Sequence, residues 1–279
     1  MWRTRRKAPW RLFWSIEEAM KNGLFKYFST DPDKLERFTK RQIYFTPPKY
    51  FNDPWDFLAR SDPHAEKHIA VEIPSLSGRG LREFTEFVNT PDSLEDEAGE
   101  QQDGLSQEIG VVCLTDDPKN RVMWAHYGES HQGFVAEFCC TELPCNDQKA
   151  PAFAACGTPF GPAMKVDYRP NLPTMNADRT NLKEVFWTKH IAWRYEEEWR
   201  MMYSLAKGLH HPTRDGFFLL EFEPGDLLRV VFGLRICPRV KEVLENMLKV
   251  NELHHVRKEE VYIDPTTRQL DIRPTLPPV

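Results

Sequence analysis

Residues 109–138 read IGVVCLTDDPKNRVMWAHYGESHQGFVAEF and carry the clearest structural signal in the chain. Ile109–Thr115 is a largely apolar run of strand length. Asp117 and Pro118 are typical of a helix start, and Gly128 is typical of a helix end. Gly133–Phe138 has the composition of a second buried strand. This stretch therefore predicts a strand, a short aromatic-bearing helix and a second strand.

The segment upstream of this stretch has a similar pattern. Leu24–Phe28 is a short apolar strand candidate, and Ile43–Thr46 is another, stopped by two prolines. Between them, Asp31 followed by proline predicts a helix start, with Leu35 and Phe38 on the apolar face.

The downstream segment adds strands and helices in an irregular order. We predict strands and helices at Ala163–Tyr168 (strand), Asn181–His190 (helix), Trp199–Leu205, Phe217–Phe222 and Leu227–Phe232 (strands), Pro238–Val250 (helix), and Val261–Ile263 with Gln269–Ile272 (hairpin). Because strands and helices do not alternate regularly, the fold class is α+β. We expect a mixed, mainly antiparallel β core with peripheral helices, built as one sheet or two packed sheets. Its strands are those around Val112, Phe134, Met201, Leu219 and Val231.

The domain organisation predicted for these 279 residues is a single domain. Residues 1–22 form a lead-in with a basic arm, whose charges are Arg3, Arg5, Arg6 and Lys7. Residues 23–279 form the domain, with an insertion at about 61–108. Within the insertion, Asp92–Gln107 is acidic and lacks aromatic residues, so we expect it to be mobile and without catalytic residues.

Composition favours a soluble, cytoplasmic protein. The hydrophobic fraction is 41 % and the formal net charge is -5, which argues against a polyanion-binding protein as a whole. No apolar run is long enough to span a bilayer, and no signal-peptide core follows the N-terminus. Six cysteines are present without paired Cys-x-x-Cys spacing, so we expect free thiols and no metal site.

The run Tyr195-Glu-Glu-Glu-Trp-Arg200 is the first candidate for chemistry. Glu196 and Glu198 fall on the same side of a strand entrance, where a carboxylate could bond a ribose hydroxyl or stabilise a cationic sugar. The alternative interpretation is a charged loop in which Arg200 pairs with a glutamate.

Three further clusters combine aromatic and polar residues. Trp124 and Tyr127 are neighbours on one helix face, which suits a stacking platform for a flat ring but equally suits core packing. Lys26 alternates with aromatic residues along the first strand. Asn52 and Asp53 form a turn between aromatic residues.

Four motifs in order resemble a widespread bacterial family known only as a domain of unknown function, number twenty-nine seventy-one. They are Phe25-Lys-Tyr27, Phe51-Asn-Asp-Pro54, Met123-Trp-Ala-His-Tyr-Gly128 with Gly133, and Trp193-Arg-Tyr-Glu-Glu-Glu-Trp-Arg200. The resemblance runs from about Gly23 to Gly233 and implies no established activity.

The order of elements is also similar to that of the ADP-ribosyltransferases, at a greater distance. Lys26 stands where many of these enzymes carry His or Arg, and lysine is a more flexible donor than either. Tyr127 matches the aromatic residue after the second motif, and Glu198 with Glu196 matches the Glu-x-Glu variant. The resemblance implies an NAD-using transferase with an ADP-ribosyltransferase-like core.

The resemblance also implies roles for individual residues. Tyr127 would stack on nicotinamide, Lys26 and Ser29 would hold ribose or phosphate, Glu198 would favour the cationic transition state, and Glu196 would orient the acceptor. The remaining NAD-binding candidates are Tyr27, Asn52 and Trp124. The acceptor would be a protein or a nucleic acid, in phage defence or a toxin system with an antitoxin or defence partner.

Two other classes of function stay open from the sequence. A metal-dependent nuclease would recruit Asp53, Glu137 and Glu196, although no lysine lies two residues after Glu137 or Glu198. A non-enzymatic nucleotide sensor or interaction module would use the aromatic clusters as a recognition cleft.

Overall fold

The computed structural model describes residues 21–58, 60–61, 109–142, 162–175, 182–204 and 218–275. Several predictions lie outside these residues: the basic arm, the mobile segment Asp92–Gln107, and nearly all of the insertion at 61–108. Within the described residues, no helix has the length and apolar character needed to cross a membrane.

Fourteen strands and four α-helices are present in this part of the chain. In chain order they are β1 (Lys21–Phe28), α1 (Pro32–Thr39), β2 (Gln42–Phe45), β3 (Arg60–Ser61), β4 (Ile109–Thr115), α2 (Arg121–His126), β5 (Phe134–Glu142), β6 (Pro162–Lys165), β7 (Asp167–Arg169), β8 (Thr174–Met175), α3 (Leu182–Trp187), β9 (Thr188–His190), β10 (Glu198–Ser204), β11 (Phe218–Glu221), β12 (Leu227–Phe232), α4 (Pro238–Met247), β13 (Arg257–Ile263) and β14 (Leu270–Pro274). Most strand pairs are antiparallel, which confirms the predicted α+β class with a mainly antiparallel core.

Eight strands form one curled sheet in the order β1-β4-β10-β6-β5-β12-β13-β14. An additional pairing between β1 and β5 closes the first five strands into a ring. Strand β5 can close the ring because it pairs with three other strands along its two edges. One edge pairs with β1, while the other pairs with β12 along Phe134–Phe138 and with β6 at Thr141 and Glu142.

The main core is packed by helices α1 and α4 against this sheet. Asp31 caps α1 as predicted, since its side chain accepts hydrogen bonds from the N–H groups of Asp33 and Lys34. Phe38 of α1 and Leu244 of α4 are fully buried in one cluster with Phe134 of β5. Phe134 in turn stacks on Phe28, at a centroid distance of 4.7 Å, across the β1–β5 pair.

The structure corrects three predicted elements. Helix α2 begins after Asn120, whose side chain accepts from two N–H groups, because Asp117 and Pro118 lie in the turn that precedes it. The predicted helix 181–190 gives way to strand β9 at residue 188. The predicted strand 163–168 is split into β6 and β7. Leu219 lies in β11, which pairs with β2 in a separate two-stranded sheet, and its neighbours Phe218 and Leu220 pack against the main core, as the predicted alternative of two packed sheets allows.

Candidate functional site

One cleft of about 530 Å³ lies where β1 and β4 diverge after a single residue pair, Phe25 and Thr115. This volume falls in the range of small-molecule sites. Its walls combine six aromatic side chains with polar groups that come from several distant segments. The polar and charged lining residues other than tyrosines are Lys26, Asp31, Asp33, Lys34, Thr46, Asn52, Cys113, Thr115, Lys189, Glu196 and Glu198.

The two glutamates reach the cleft through an unusual backbone turn. Residues 191–196 form a 3-10 helix, and Glu197 then adopts a left-handed conformation with φ of 43°. This turn directs Glu196 and Glu198 inward, while Glu197 stays half-exposed and pairs with Lys165 at 3.3 Å. The predicted grouping of Glu196 with Glu198 is therefore correct, but a helix-to-strand turn produces it, not strand alternation.

Lys189 bridges the two glutamates. Its Nζ donates to Glu196 Oε2 at 2.6 Å and to Glu198 Oε2 at 2.9 Å, and the lysine is 4 % exposed. Lys189 lies in β9, on the short strand that replaces the end of the predicted helix. The two carboxylates are thus held by one buried cation.

Arg200 completes this buried charge cluster from the opposite side. Its Nε donates to Glu198 Oε1 at 2.8 Å, and its Nη2 donates to Asp56 Oδ2 at 2.6 Å. The buried charge cluster therefore contains three carboxylates and two cations: Asp56, Glu196, Glu198, Lys189 and Arg200. When all five are ionised, the cluster carries one net negative charge next to the cleft.

Tyr127 and Asn52 extend the hydrogen-bond chain from the buried charge cluster to the surface. The Tyr127 hydroxyl donates to Glu196 Oε1 at 2.5 Å and accepts from Asn52 Nδ2 at 2.6 Å. Asn52 is exposed, so the chain runs from solvent to the buried cluster within a few side chains. The ring of Tyr127 lines the cleft in a fixed position.

The environments of the two glutamates drive their protonation in opposite directions. Burial raises the pKa of Glu196, and Lys189 offsets only part of this effect. Burial would also raise the pKa of Glu198, but Arg200 and Lys189 together hold it well below its usual range. Two carboxylates with pKa values driven apart are a frequent feature of sites that handle protons.

Lys26 occupies the cleft without a carboxylate partner among the described residues. Its Nζ is 3.5 Å from the carbonyl oxygen of Cys113, at the limit of a hydrogen bond, and its side chain is half-buried. Burial and the nearby charge of Lys34 lower the pKa of Lys26.

The other predicted ligand-binding residues have different positions. Tyr27 lines the cleft, although its hydroxyl donates to the Asp117 carbonyl oxygen at 3.0 Å. Trp124 is fully buried, packs edge-on against Tyr27, and is not among the lining residues. Core packing therefore accounts for Trp124, and its predicted place in the cleft is wrong. Ser29 is likewise not among the lining residues.

The carboxylates suggested for a nuclease do not meet. Of Asp53, Glu137 and Glu196, only Glu196 lines the cleft. Glu137 on β5 pairs with Arg229 at 2.7 Å and with Arg257 at 3.3 Å. Within the described residues, no group of three His, Cys, Asp or Glu side chains is arranged to hold a metal ion.

Two members of the buried charge cluster were missed by sequence reasoning. Lys189 fell within the predicted helix Asn181–His190 without a role of its own, and Asp56 also received no role. The available signal was a lone lysine between the apolar run Val185–Trp187 and Trp193, just before an acidic run. Arg200 was anticipated only as the partner of a glutamate, and the structure confirms that pairing with Glu198.

Comparisons with known proteins support only the first family resemblance. Residues 123–201 match the family model described as a protein of unknown function (DUF2971). This match contains the last four residues of α2, the 3-10 helix and the glutamates, but does not reach Lys26 or Asn52. Neither a curated protein nor a solved structure matches the chain.

Proposed function

We propose that this chain is an ADP-ribosyltransferase-like enzyme that binds NAD in the cleft and transfers ADP-ribose to a macromolecule. One observation carries the proposal. Lys26, Tyr127 and the glutamate pair lie in different parts of the sequence, yet all of them line a single cleft. These are the residues to which the resemblance to ADP-ribosyltransferases gives roles in binding and catalysis.

The binding roles follow from the positions of the side chains. Tyr127 offers a ring held by two hydrogen bonds, which is a suitable stacking surface for nicotinamide. Lys26 pairs with no carboxylate of the described residues and would donate to a ribose hydroxyl or a phosphate. Asn52 is at the exposed end of the same hydrogen-bond chain, where it would contact the outer part of the ligand. Ser29 and Trp124 have no place in this proposal.

The catalytic role belongs to the buried charge cluster. Breaking the bond between nicotinamide and ribose builds positive charge on the sugar, so a fixed negative charge nearby favours the transition state over the ground state. Glu198 is ionised and fixed by Arg200 and Lys189. Glu196, whose pKa is raised, would accept a proton from the acceptor nucleophile.

The acceptor is a protein or a nucleic acid in this proposal. The cellular setting belongs to it as well: phage defence or a toxin system, with an antitoxin or defence partner that controls the activity.

The test measures nicotinamide release from labelled NAD with cell extract as the source of acceptor. The wild-type chain should release nicotinamide and label a macromolecule. Glu196→Gln should lower the release rate by about 100-fold or more, because it removes a proton acceptor in the site. Glu197→Gln is the matched control, since Glu197 is the adjacent residue and points away from the cleft.

Tyr127→Ala should weaken NAD binding by removing the stacking surface, whereas Tyr127→Phe should keep most of the affinity. Tyr262→Phe is the control for loss of a phenol, because the Tyr262 hydroxyl bonds Asp271 on the β13–β14 pair. If the wild type releases no nicotinamide and NAD causes no thermal shift, the transferase proposal is overturned.

A nucleotide sensor is the second candidate, and one observation favours it. Every oxygen of Glu196 and Glu198 already accepts a hydrogen bond within the protein. A site whose carboxylates are internally satisfied could bind a nucleotide without reacting with it. A thermal shift with NAD in the absence of nicotinamide release would select this function.

A further inference from the structure

Lys26 and Lys189 both line the cleft, but their partners differ. Lys189 lies against carboxylates at 2.6 and 2.9 Å. Lys26 makes no ion pair in the described part of the chain, and its Nζ reaches only the Cys113 carbonyl oxygen at 3.5 Å. A half-buried ammonium group without a counterion is costly, because burial removes its hydration, and here only the Cys113 carbonyl oxygen and the face of the Phe28 ring, at 5.9 Å, replace part of it.

The carboxylates that line the cleft are all engaged elsewhere. Asp31 accepts backbone N–H groups at the start of α1. Asp33 lies 3.5 Å from Arg37. Glu196 and Glu198 are held by the cations of the buried charge cluster. Among the residues that the structure describes, Lys26 therefore gains no close counterion.

The electrostatic surroundings of Lys26 increase the fraction of its neutral form at a given pH. Burial lowers the pKa of Lys26, and the charge of Lys34 lowers it further, while Cys113 and Glu198 act in the opposite direction with a smaller total effect. A neutral amine has a free electron pair and is a nucleophile, whereas an ammonium group is not. Desolvation together with a neighbouring cation is a known way to activate a lysine.

We propose that Lys26 is a nucleophilic amine that forms a covalent imine with an aldehyde or ketone bound in the cleft. The aromatic walls, among them Tyr50, Phe51 and Tyr127, would favour a carbonyl compound that carries a flat ring. This chemistry goes beyond the proposed transfer of ADP-ribose and does not depend on it.

The imine forms in two balanced steps. The Lys26 nitrogen uses its electron pair to bond the carbonyl carbon, and the carbonyl π electrons move to oxygen. The nitrogen then gives up its two protons to that oxygen, the carbon–oxygen bond breaks, and water leaves as the C=N double bond forms. No oxidant or other reactant is needed.

The experiment uses salicylaldehyde as the probe, with cyanoborohydride to reduce any imine to a stable amine. The full-length protein is treated at pH 7 with limiting probe, digested, and analysed by mass spectrometry for the modified fraction of each lysine. Lys26 should be modified at least about tenfold faster than Lys34, because burial and the lack of a counterion leave a larger fraction of its amine neutral. Lys34 is the internal control, because it is an exposed lysine of the same cleft.

Two variants keep the proposal falsifiable. Lys26→Arg should abolish the fast modification, because a guanidinium group stays protonated and is not a nucleophile at pH 7. Lys34→Met should slow the modification of Lys26 several-fold at pH 7, because removing a neighbouring positive charge raises the pKa of Lys26. Modification of Lys26 no faster than that of Lys34, or an unchanged fast phase in Lys26→Arg, would overturn the proposal.

Discussion

Lys189 explains how three carboxylates coexist in the buried charge cluster. Its ammonium lies 2.6 Å from Glu196, 2.9 Å from Glu198 and 3.6 Å from Asp56. Burial alone would lower the pKa of Lys189, but the charges of Glu198 and Asp56 raise it, so the lysine stays protonated. We therefore regard Lys189 as the residue that positions both glutamates.

Lys189→Met should lower the free energy of unfolding by about 3–5 kcal/mol at pH 7, as expected when one partner of a buried ion pair is removed. The loss should become smaller as the pH is lowered, because the orphaned carboxylates can then take up protons. Urea unfolding at pH 7 and pH 4 measures both effects. Lys165→Met is the control: Lys165 forms exposed pairs with Asp116 and Glu197, which contribute at most about 1 kcal/mol. Equal losses for the two variants would contradict the positioning role.

Glu198→Gln should also destabilise the fold, because it removes the charge that pairs with Arg200 and Lys189. Because the pKa of Glu198 is depressed in the folded state, its contribution is present above the unfolded value of about 4.3 and is lost as the pH falls below it. The free energy of unfolding of the variant should therefore be about 3–5 kcal/mol lower than that of the wild type at pH 7. In urea unfolding, this difference should shrink below about pH 4, and a constant difference from pH 7 to pH 3 would count against it.

At the scale of elements, the close approach of β1 and β5 closes the ring of strands. Gly133 precedes β5 at the point where Phe28 ends β1, and a Cβ at residue 133 would be 1.9 Å from the Phe28 carbonyl oxygen. The obstacle is backbone, so no side-chain rotation can relieve it. A glycine is required here because of close approach.

Gly133→Ala should cost about 3 kcal/mol or more, the upper end of overpacking effects, because the β1–β5 pair must separate. Gly225→Ala is the matched control, since a Cβ there meets nothing within 4 Å. Chemical denaturation of the two variants measures the difference. Similar stability for both would show that the strands are not as close as described.

Helix α2 depends on Asn120, which both caps the helix and donates to the Tyr195 carbonyl oxygen at 2.6 Å. Asn120→Ala should cost about 1–2 kcal/mol through the lost cap alone, plus the loss of the bond to Tyr195. Asn120→Asp keeps the cap acceptor and removes the donor, so its melting temperature should lie between those of Asn120→Ala and the wild type. Equal melting temperatures for Asn120→Ala and Asn120→Asp would show that the cap acceptor does not stabilise the helix.

The sequence predicted secondary-structure elements better than it predicted contacts between side chains. Leu227–Phe232 and the Asp31 cap were predicted correctly because they depend on local periodicity and turn chemistry. Lys189 and Asp56 could not be predicted, because their importance comes from partners that lie far away in sequence or across a turn. The apolar pattern before Thr188 is helical, so the sequence predicted that the helix continues to residue 190. In the structure the helix ends before Thr188, because β9 pairs with β7.

For the molecule as a whole, the cleft depends on the closed ring of strands. The ring brings β1, β4 and the start of β10 together, so that Lys26, Cys113 and Glu198 line one cavity. The loop that contains Asn52 and Asp56 is tied to this cavity at both ends, through Tyr127 and Arg200. Ligand binding should therefore stabilise the entire fold, by about 2.7 kcal/mol at a ligand concentration 100 times Kd.

The most direct test of the proposed NAD site is a crystal structure of the chain soaked with NAD. The predicted result is density for the nicotinamide ring against Tyr127, with the ribose beside Lys26 and its anomeric carbon facing Glu196 and Glu198. Density for NAD at any other place, or a cleft without ligand density at a saturating concentration that leaves the crystal intact, would contradict the proposed site.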